Sequence, residues 1–420
     1  MTFRRSLLGG TCLAFQPLVL NVLSLPVMAY IIHGLGPSAY GQWTMATAMI
    51  GALGVFANLG LRGAFIRQVA GEPHKASTAL AEQLGLRLIL ATIAAVSAII
   101  LCLILRYPIV VTECAAVGAA AMIVSTLAMT FVDFLQGTGR IATVAGVNMM
   151  AGILLTAGSA MVIWFGMGPV ALSAAYLIGP VVSAMALLNI VRKDIRVRIR
   201  FDRFRGLRLL RDSKGFTVQT LLNSASSYVE ALLLPQLVGA AYFGFYSAGT
   251  LLPKRLAAIP DGFCTAAYPM LAQRFHDCRV RGTRLTMSWL GFISISCLSI
   301  TLGVFLLAGP IAHILFPMQP ESCRMVIRLT VWALPLFGIE SALGYAMNAA
   351  GADAAVARAS LPAALCIVVL SIVLMSQLGI FGACIAIPLR HGVRIIMLSV
   401  CYSRWFSAGE ESQPGAIATA

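Results

Sequence analysis

The feature that most constrains this chain is a succession of apolar runs, each about 20 residues or longer, that follow one another from end to end. A helix of about 20 apolar residues rises far enough to cross roughly 30 Å of hydrocarbon. Twelve such runs are read, over residues 6–33, 43–66, 83–105, 109–135, 141–164 and 168–191, then 215–238, 243–272, 285–309, 324–349, 355–376 and 379–402. They do not alternate in polarity, as the strands of a membrane barrel do. Composition points the same way: 59% of the residues are apolar and 11% are charged, against about 25% charged in soluble domains. The fold class expected is an all-α integral membrane protein with about twelve transmembrane helices. Arg4 and Arg5 precede the first run as in a signal peptide. That run is nevertheless about twice the usual apolar length and lacks a small-residue cleavage site, so it is read as an uncleaved first helix.

The 30 Lys and Arg residues set the orientation, because short cytoplasmic loops collect them. With both ends inside, 21 of them fall on the inner side, including Arg67, Lys75, Arg140 and ten between Arg192 and Lys214. The outer loops hold Arg106 alone, and the other eight lie within or at the ends of spans. The net charge of +15 is therefore a topology signal, with a secondary attraction to anionic lipid headgroups. It needs no nucleic acid to explain it.

One long polar interruption divides the runs six and six. The domains expected are a six-helix bundle over 1–191, a basic cytoplasmic connector over 192–214, a second six-helix bundle over 215–402, and a disordered cytoplasmic tail over 403–420. A short internal repeat supports the division: GPSAYGQW at Gly36–Trp43 and GAAYFGFY at Gly239–Tyr246 each join the first two helices of a half. An even number of spans per half gives both halves the same orientation, related by an axis along the membrane normal.

Catalytic and metal chemistry find no support. The chain has no HExxH, no Walker GxxxxGK[ST] and no GxSxG motif. Its five histidines are scattered, and its cysteines sit in or beside apolar runs without CxxC spacing, as small hydrophobes do. No cofactor and no metal are expected, and without a nucleotide site transport must draw on an ion gradient, the membrane potential or substrate supply.

Several short motifs resemble one known family. LGPSAYGQWTMA at Leu35–Ala46, FANLGLRGAFIRQVA at Phe56–Ala70, FLQGTGR at Phe134–Arg140 and VGAAYFGFYSAG at Val238–Gly249 are similar to loops of the polysaccharide flippases of the Wzx type. These belong to the multidrug/oligosaccharidyl-lipid/polysaccharide exporter superfamily. The resemblance implies flipping of an isoprenoid-diphosphate-linked oligosaccharide across a bacterial inner membrane, by a protein that is not an enzyme. The partners it implies are the lipid-linked oligosaccharide, anionic membrane lipids and other polysaccharide assembly proteins. An ion-coupled multidrug or small-molecule exporter of the same superfamily, and a membrane-embedded polysaccharide polymerase or ligase, are the rival readings. A cation exporter wants acidic residues in its cavity, and such a polymerase usually carries a large outer loop, which this chain lacks.

Ionisable residues at membrane depth are costly and mark pathways or partners. Lys254 and Arg255 lie near mid-membrane in the eighth span, flanked by Pro253 and Pro260, as a cavity for a diphosphate requires. Glu230 in the seventh span is read as their counterion or as a coupling carboxylate. Arg390 and Arg394 share one face of the last span, beside His391, and extend the basic lining or pair with Glu340. Arg62, Asp133 and Asp261 fall at the inner ends of their spans, where interfacial water solvates them. Arg62 is kept as an inner contact for the diphosphate. Pro17 and Pro26 are expected to break the first helix into a gate, with Asn21 between them facing the cavity.

Overall fold

In the computed structural model the backbone is described over residues 3–59, 61–195, 197, 199, 209, 214–317 and 320–410. Most of the 192–214 connector, the last ten residues and the side chain of Pro17 lie outside the described residues. Every regular element among the described residues is a helix. Hydrocarbon offers no partner for a backbone N–H or C=O, and a helix satisfies both within its own segment.

Nine of these helices are long and apolar enough to cross a membrane. Three are too long for one crossing: Val19–Asn58 has 40 residues, Ser227–Thr265 has 39 and Ser360–Trp405 has 46, about twice what a bilayer needs. Each contains one glycine outside helical geometry, Gly36 (φ 72°), Gly239 (φ 79°) and Gly379 (φ 53°), where an L side chain would be strained. Each is therefore two crossings joined at a glycine turn, and the chain makes about twelve passes as its sequence leads one to expect.

Contacts divide the chain into two compact units, one of residues 1–247 with 314–316 and one of 248–313 with 317–420. The first unit contains α1 (Phe3–Asn58), α2 (Leu61–Gly71), α3 (Ala76–Ile104), α4 (Ile109–Gly137), α5 (Ile141–Trp164), α6 (Pro169–Ala175), α7 (Ile178–Val191) and most of α8 (Lys214–Leu256). Its main core gathers Phe65, Leu80, Leu84, Phe131, Phe134, Leu135, Leu187 and Val191 where these helices approach the basic loops. The second unit contains α9 (Ala258–Asp277), α10 (Arg279–Leu306), α11 (Ala308–Leu315), α12 (Pro320–Thr330), α13 (Ala333–Ala349) and α14 (Asp353–Glu410). Leu271, Phe275, Leu343, Met347, Leu398 and Tyr402 form its largest core. Stripes such as Ile295, Leu298, Leu302 and Leu306 on α10 lie half or more exposed, an arrangement only a lipid surround tolerates.

Two expectations meet a different backbone. The first helix keeps helical dihedrals through Pro26, and its one interruption is Gly36. Proline inside a membrane helix is tolerated where neighbouring groups take up the freed carbonyl. The final helix runs on to Glu410, into the segment expected as tail.

The internal repeat has a structural reason. Gly36 and Gly239 have nearly the same dihedrals, φ 72°, ψ 173° and φ 79°, ψ 170°. Five residues on, the two turns touch through backbone: a β-carbon on Gly41 would lie 1.9 Å from the Ala240 carbonyl oxygen, and one on Gly244 would lie 2.0 Å from that of Pro37. Ala240 is the repeat counterpart of Pro37 and Gly244 of Gly41, so the contact is reciprocal, a local two-fold within the first unit. Glycine is required because the neighbouring atom is backbone and cannot turn aside. Gly41→Ala and Gly244→Ala should each lower the thermal stability of the purified protein, by about 1–3 kcal/mol or more as overpacking does. Gly146→Ala, which meets no neighbouring atom within 4 Å, should not.

Candidate functional site

The most deeply buried charges sit in the first unit. Asp133, near the last turn of α4, and Arg87, on α3, are both wholly buried, and Arg87 Nη1 lies 2.9 Å from Asp133 Oδ2. Arg87 Nη1 also donates to the Thr130 hydroxyl at 3.3 Å, which in turn donates to the Thr126 carbonyl at 2.8 Å. Arg62, in the first turn of α2, completes the cluster: its Nε lies 3.2 Å from Asp133 Oδ1, and its Nη2 donates to Gln136 Oε1 at 3.2 Å. Its side chain is 52% exposed. The cluster thus has two guanidiniums on one carboxylate, and the surplus positive charge belongs to the residue that reaches solvent.

The sequence reading placed Asp133 in interfacial water and passed over Arg87. The structure gives Asp133 no solvent at all. Its charge is met by arginines instead. Arg87 lies about 16 Å along α3 from Ala76, at 1.5 Å per residue, far enough in that an unpaired charge would be costly.

The joint before Arg62 is strained. Leu59 has φ 37°, a left-handed conformation that costs a bulky L residue about 1–3 kcal/mol. Its carbonyl accepts a 2.6 Å bond from the Thr217 hydroxyl at the start of α8.

One turn above this cluster begins a cavity of about 400 Å³, bounded by the second half of α1, by α4 and by α6 and α7. Asn58 and Met129 form the end nearest Arg62, and Trp43, Cys114 and Tyr176 line the far end, about 22 Å away along the helices. Thr47, Ser125, Thr126 and Ser173 add hydroxyls, and no charged side chain lines it. Trp43 and Tyr176 meet edge-on with centroids 5.0 Å apart, and the Trp43 indole N–H is buried without a hydrogen-bond partner among the described residues. Small residues at Gly51, Gly54, Gly118 and Ala121 are among its lining, and at the three glycines a β-carbon would press on Tyr228, Met122 and Ile50.

The other expected site residues lie apart from this cluster in sequence and environment. Glu230 is buried and accepts a 2.8 Å bond from the Tyr246 hydroxyl, all within the first unit. Lys254 (exposed) and Arg255 (half-buried) occupy the last turn of α8, next to a break at Ala257, and belong to the second unit. In that unit Glu340 on α13 holds His391 Nδ1 at 2.6 Å and Arg394 Nη1 at 2.9 Å. Arg394 thus has a carboxylate partner, while Arg390 is half-buried a turn away. Asp261 is exposed and accepts the Tyr345 hydroxyl at 3.2 Å. Asn21 is half-buried, and its carbonyl accepts the Ser24 hydroxyl at 3.1 Å.

Comparison with known proteins supplies a frame for these charges. A family model described as polysaccharide biosynthesis protein matches residues 27–325. An inferred O-antigen transporter of Shigella flexneri is 20% identical over 264 residues, 60% of this chain, and the match spans 63% of that relative's length. Among solved structures, a multidrug resistance MATE family transporter of the MOP superfamily, in an inward-facing conformation, matches with a TM-score of 0.69 at 17% identity, covering 95% of this chain and 99% of that one. The lipid II flippase MurJ, in an inward closed conformation, matches with a TM-score of 0.68 at 13% identity, covering 93% and 87%. The two structural likenesses establish the fold.

The buried pair yields a stability test. Asp133→Leu leaves Arg87 uncompensated in the core and should cost about 3–5 kcal/mol. The double substitution Arg87→Met with Asp133→Leu should recover most of that loss, read as melting temperature in detergent.

Proposed function

Because the chain belongs to the polysaccharide biosynthesis protein family, we propose that it flips an isoprenoid-diphosphate-linked oligosaccharide across the bacterial inner membrane. What supports this reading is the family match together with cations that fall within the candidate membrane spans. A diphosphate headgroup cannot cross hydrocarbon alone, since an ion moved into it pays several kcal/mol or more. Fixed cations replace the water it leaves behind.

In this reading Lys254, Arg255, Arg390 and Arg394 form the diphosphate site of the six-helix half over 215–402, and Arg62 meets the headgroup at the basic end of the half over 1–191. Glu230 is the coupling carboxylate, Asn21 faces the path and the proline-bearing first helix, with Pro17 and Pro26, flexes as a gate. The isoprenoid tail stays in lipid while the two halves alternate in access, joined by the basic connector over 192–214. The chain works as a transporter rather than an enzyme. Both ends face the cytoplasm, where anionic lipids attract the 21 inner cations. Lipid-linked glycan and the proteins that assemble it are its partners. A multidrug resistance transporter shares the fold, but Lys254, Arg255, Arg390 and Arg394 suit an anionic cargo better than the cationic one of the rival reading.

Deleting the gene in its host should leave isoprenoid-diphosphate-linked oligosaccharide accumulating on the inner leaflet, with reversal by the intact protein. Lys254→Ala with Arg255→Ala should give a protein that folds and inserts yet restores no export. Normal export by that double variant would remove those two residues from the site.

A further inference from the structure

Arg62 is held by partners that do not depend on it. Asp133 already has Arg87, at 2.9 Å and wholly buried. Gln136 is half-buried at the solvent side and can bond to water. Of the two guanidiniums, that of Arg87 is locked by burial and by the Thr130 hydroxyl, whereas Arg62 is 52% exposed and sits in the first turn of its helix.

We propose that Asp133 is a built-in competitor of phosphate for Arg62: an anionic phosphate headgroup arriving at the basic end takes Arg62 from Asp133 and unlatches the first turn of α2 from α4. The proposal rests on the reading of Arg62 as a diphosphate contact and adds what that contact does. When Arg62 leaves, Asp133 keeps its ion pair with Arg87, so neither state strands a buried charge. A ligand shifts such an equilibrium only by its differential affinity for the two states. Here the difference is a diphosphate, which accepts both guanidinium edges, against one carboxylate already shared with Arg87. The joint before Arg62 stores the complementary strain, Leu59 in its left-handed conformation with its carbonyl tied to Thr217. Phe65 and Val69 stay packed against the α4 core, which confines the release to the Arg62 turn and the Leu59 joint. Asn58, at the near end of the neutral cavity, lies on that same joint, so the anion that unlatches the turn also loosens the cavity's entrance. Asp133 acts in this scheme as a positioning residue, through Arg62.

The test is the affinity of the full-length protein, in neutral phosphatidylcholine nanodiscs, for farnesyl diphosphate and for inorganic pyrophosphate, by calorimetry. Arg62→Ala should weaken binding about tenfold, the loss of charge-assisted bonds. Asp133→Asn should instead tighten it about fivefold, a typical coupling, and Gln136→Ala, which leaves the buried pair intact, should tighten it more mildly. Neither should tighten binding when Arg62 is already Ala. A purely structural role for Asp133 gives no gain of affinity in any variant. If Arg62→Ala weakens binding while Asp133→Asn and Gln136→Ala leave it unchanged or weaker, the latch is wrong and the contact stands. If Arg62→Ala changes nothing, the contact reading fails and the latch falls with it. Repeating the titration in phosphatidylglycerol-rich discs separates the sources of phosphate: tightening that vanishes there assigns the latch to membrane headgroups, and tightening that persists assigns it to the diphosphate.

Discussion

Hydrocarbon gives a polar group no partner, and that constraint organises this molecule at two scales. At the scale of the backbone it dictates helices, because only a helix closes its own hydrogen bonds within one segment. At the scale of side chains it dictates that a charge within a span be paired or reach water. Arg87 and Asp133 show the first solution, wholly buried against each other. Arg62 combines the two, ion-paired with Asp133 while its side chain is 52% exposed.

The twelve passes were legible in the sequence because each is set by a local quantity, the length of an apolar run. So was the repeated turn: the pattern of glycine, four residues and glycine stands in both halves, and Gly41 and Gly244 each meet the other turn's backbone. Prolines reported the breaks inside passes unevenly. The interruption at Ala257 lies between Pro253 and Pro260, which the sequence offers as helix breakers, whereas Pro26 does not interrupt its helix.

The buried charges were half legible, and the reason is sequence distance. Asp133 and Arg62 were each visible, but the pairing of Asp133 with Arg87 joins residues on neighbouring helices, and no local pattern reports it. A usable signal did exist: Arg87 and Asp133 are opposite charges in consecutive apolar runs, four residues in from residue 83 and two in from residue 135. Matching depth between adjacent helices would have found the pair. Glu340, expected as one alternative partner of Arg394, does pair with it, at 2.9 Å. The neutral cavity beside Arg62 depends on which faces of α1, α4 and α6 meet, which small-residue content alone does not specify.

The account's central claim is that this protein moves a lipid-linked glycan between leaflets, and reconstitution tests it without the rest of the cell. Purified protein would be placed in liposomes containing the host's isoprenoid-diphosphate-linked repeat unit in both leaflets, and a glycosidase added outside would report how much glycan it can reach. The account predicts that the protein brings essentially the whole pool within reach, and that the Lys254→Ala, Arg255→Ala protein leaves the inner-leaflet share protected. An inner-leaflet share that stays protected with the intact protein, as in protein-free liposomes, would contradict it.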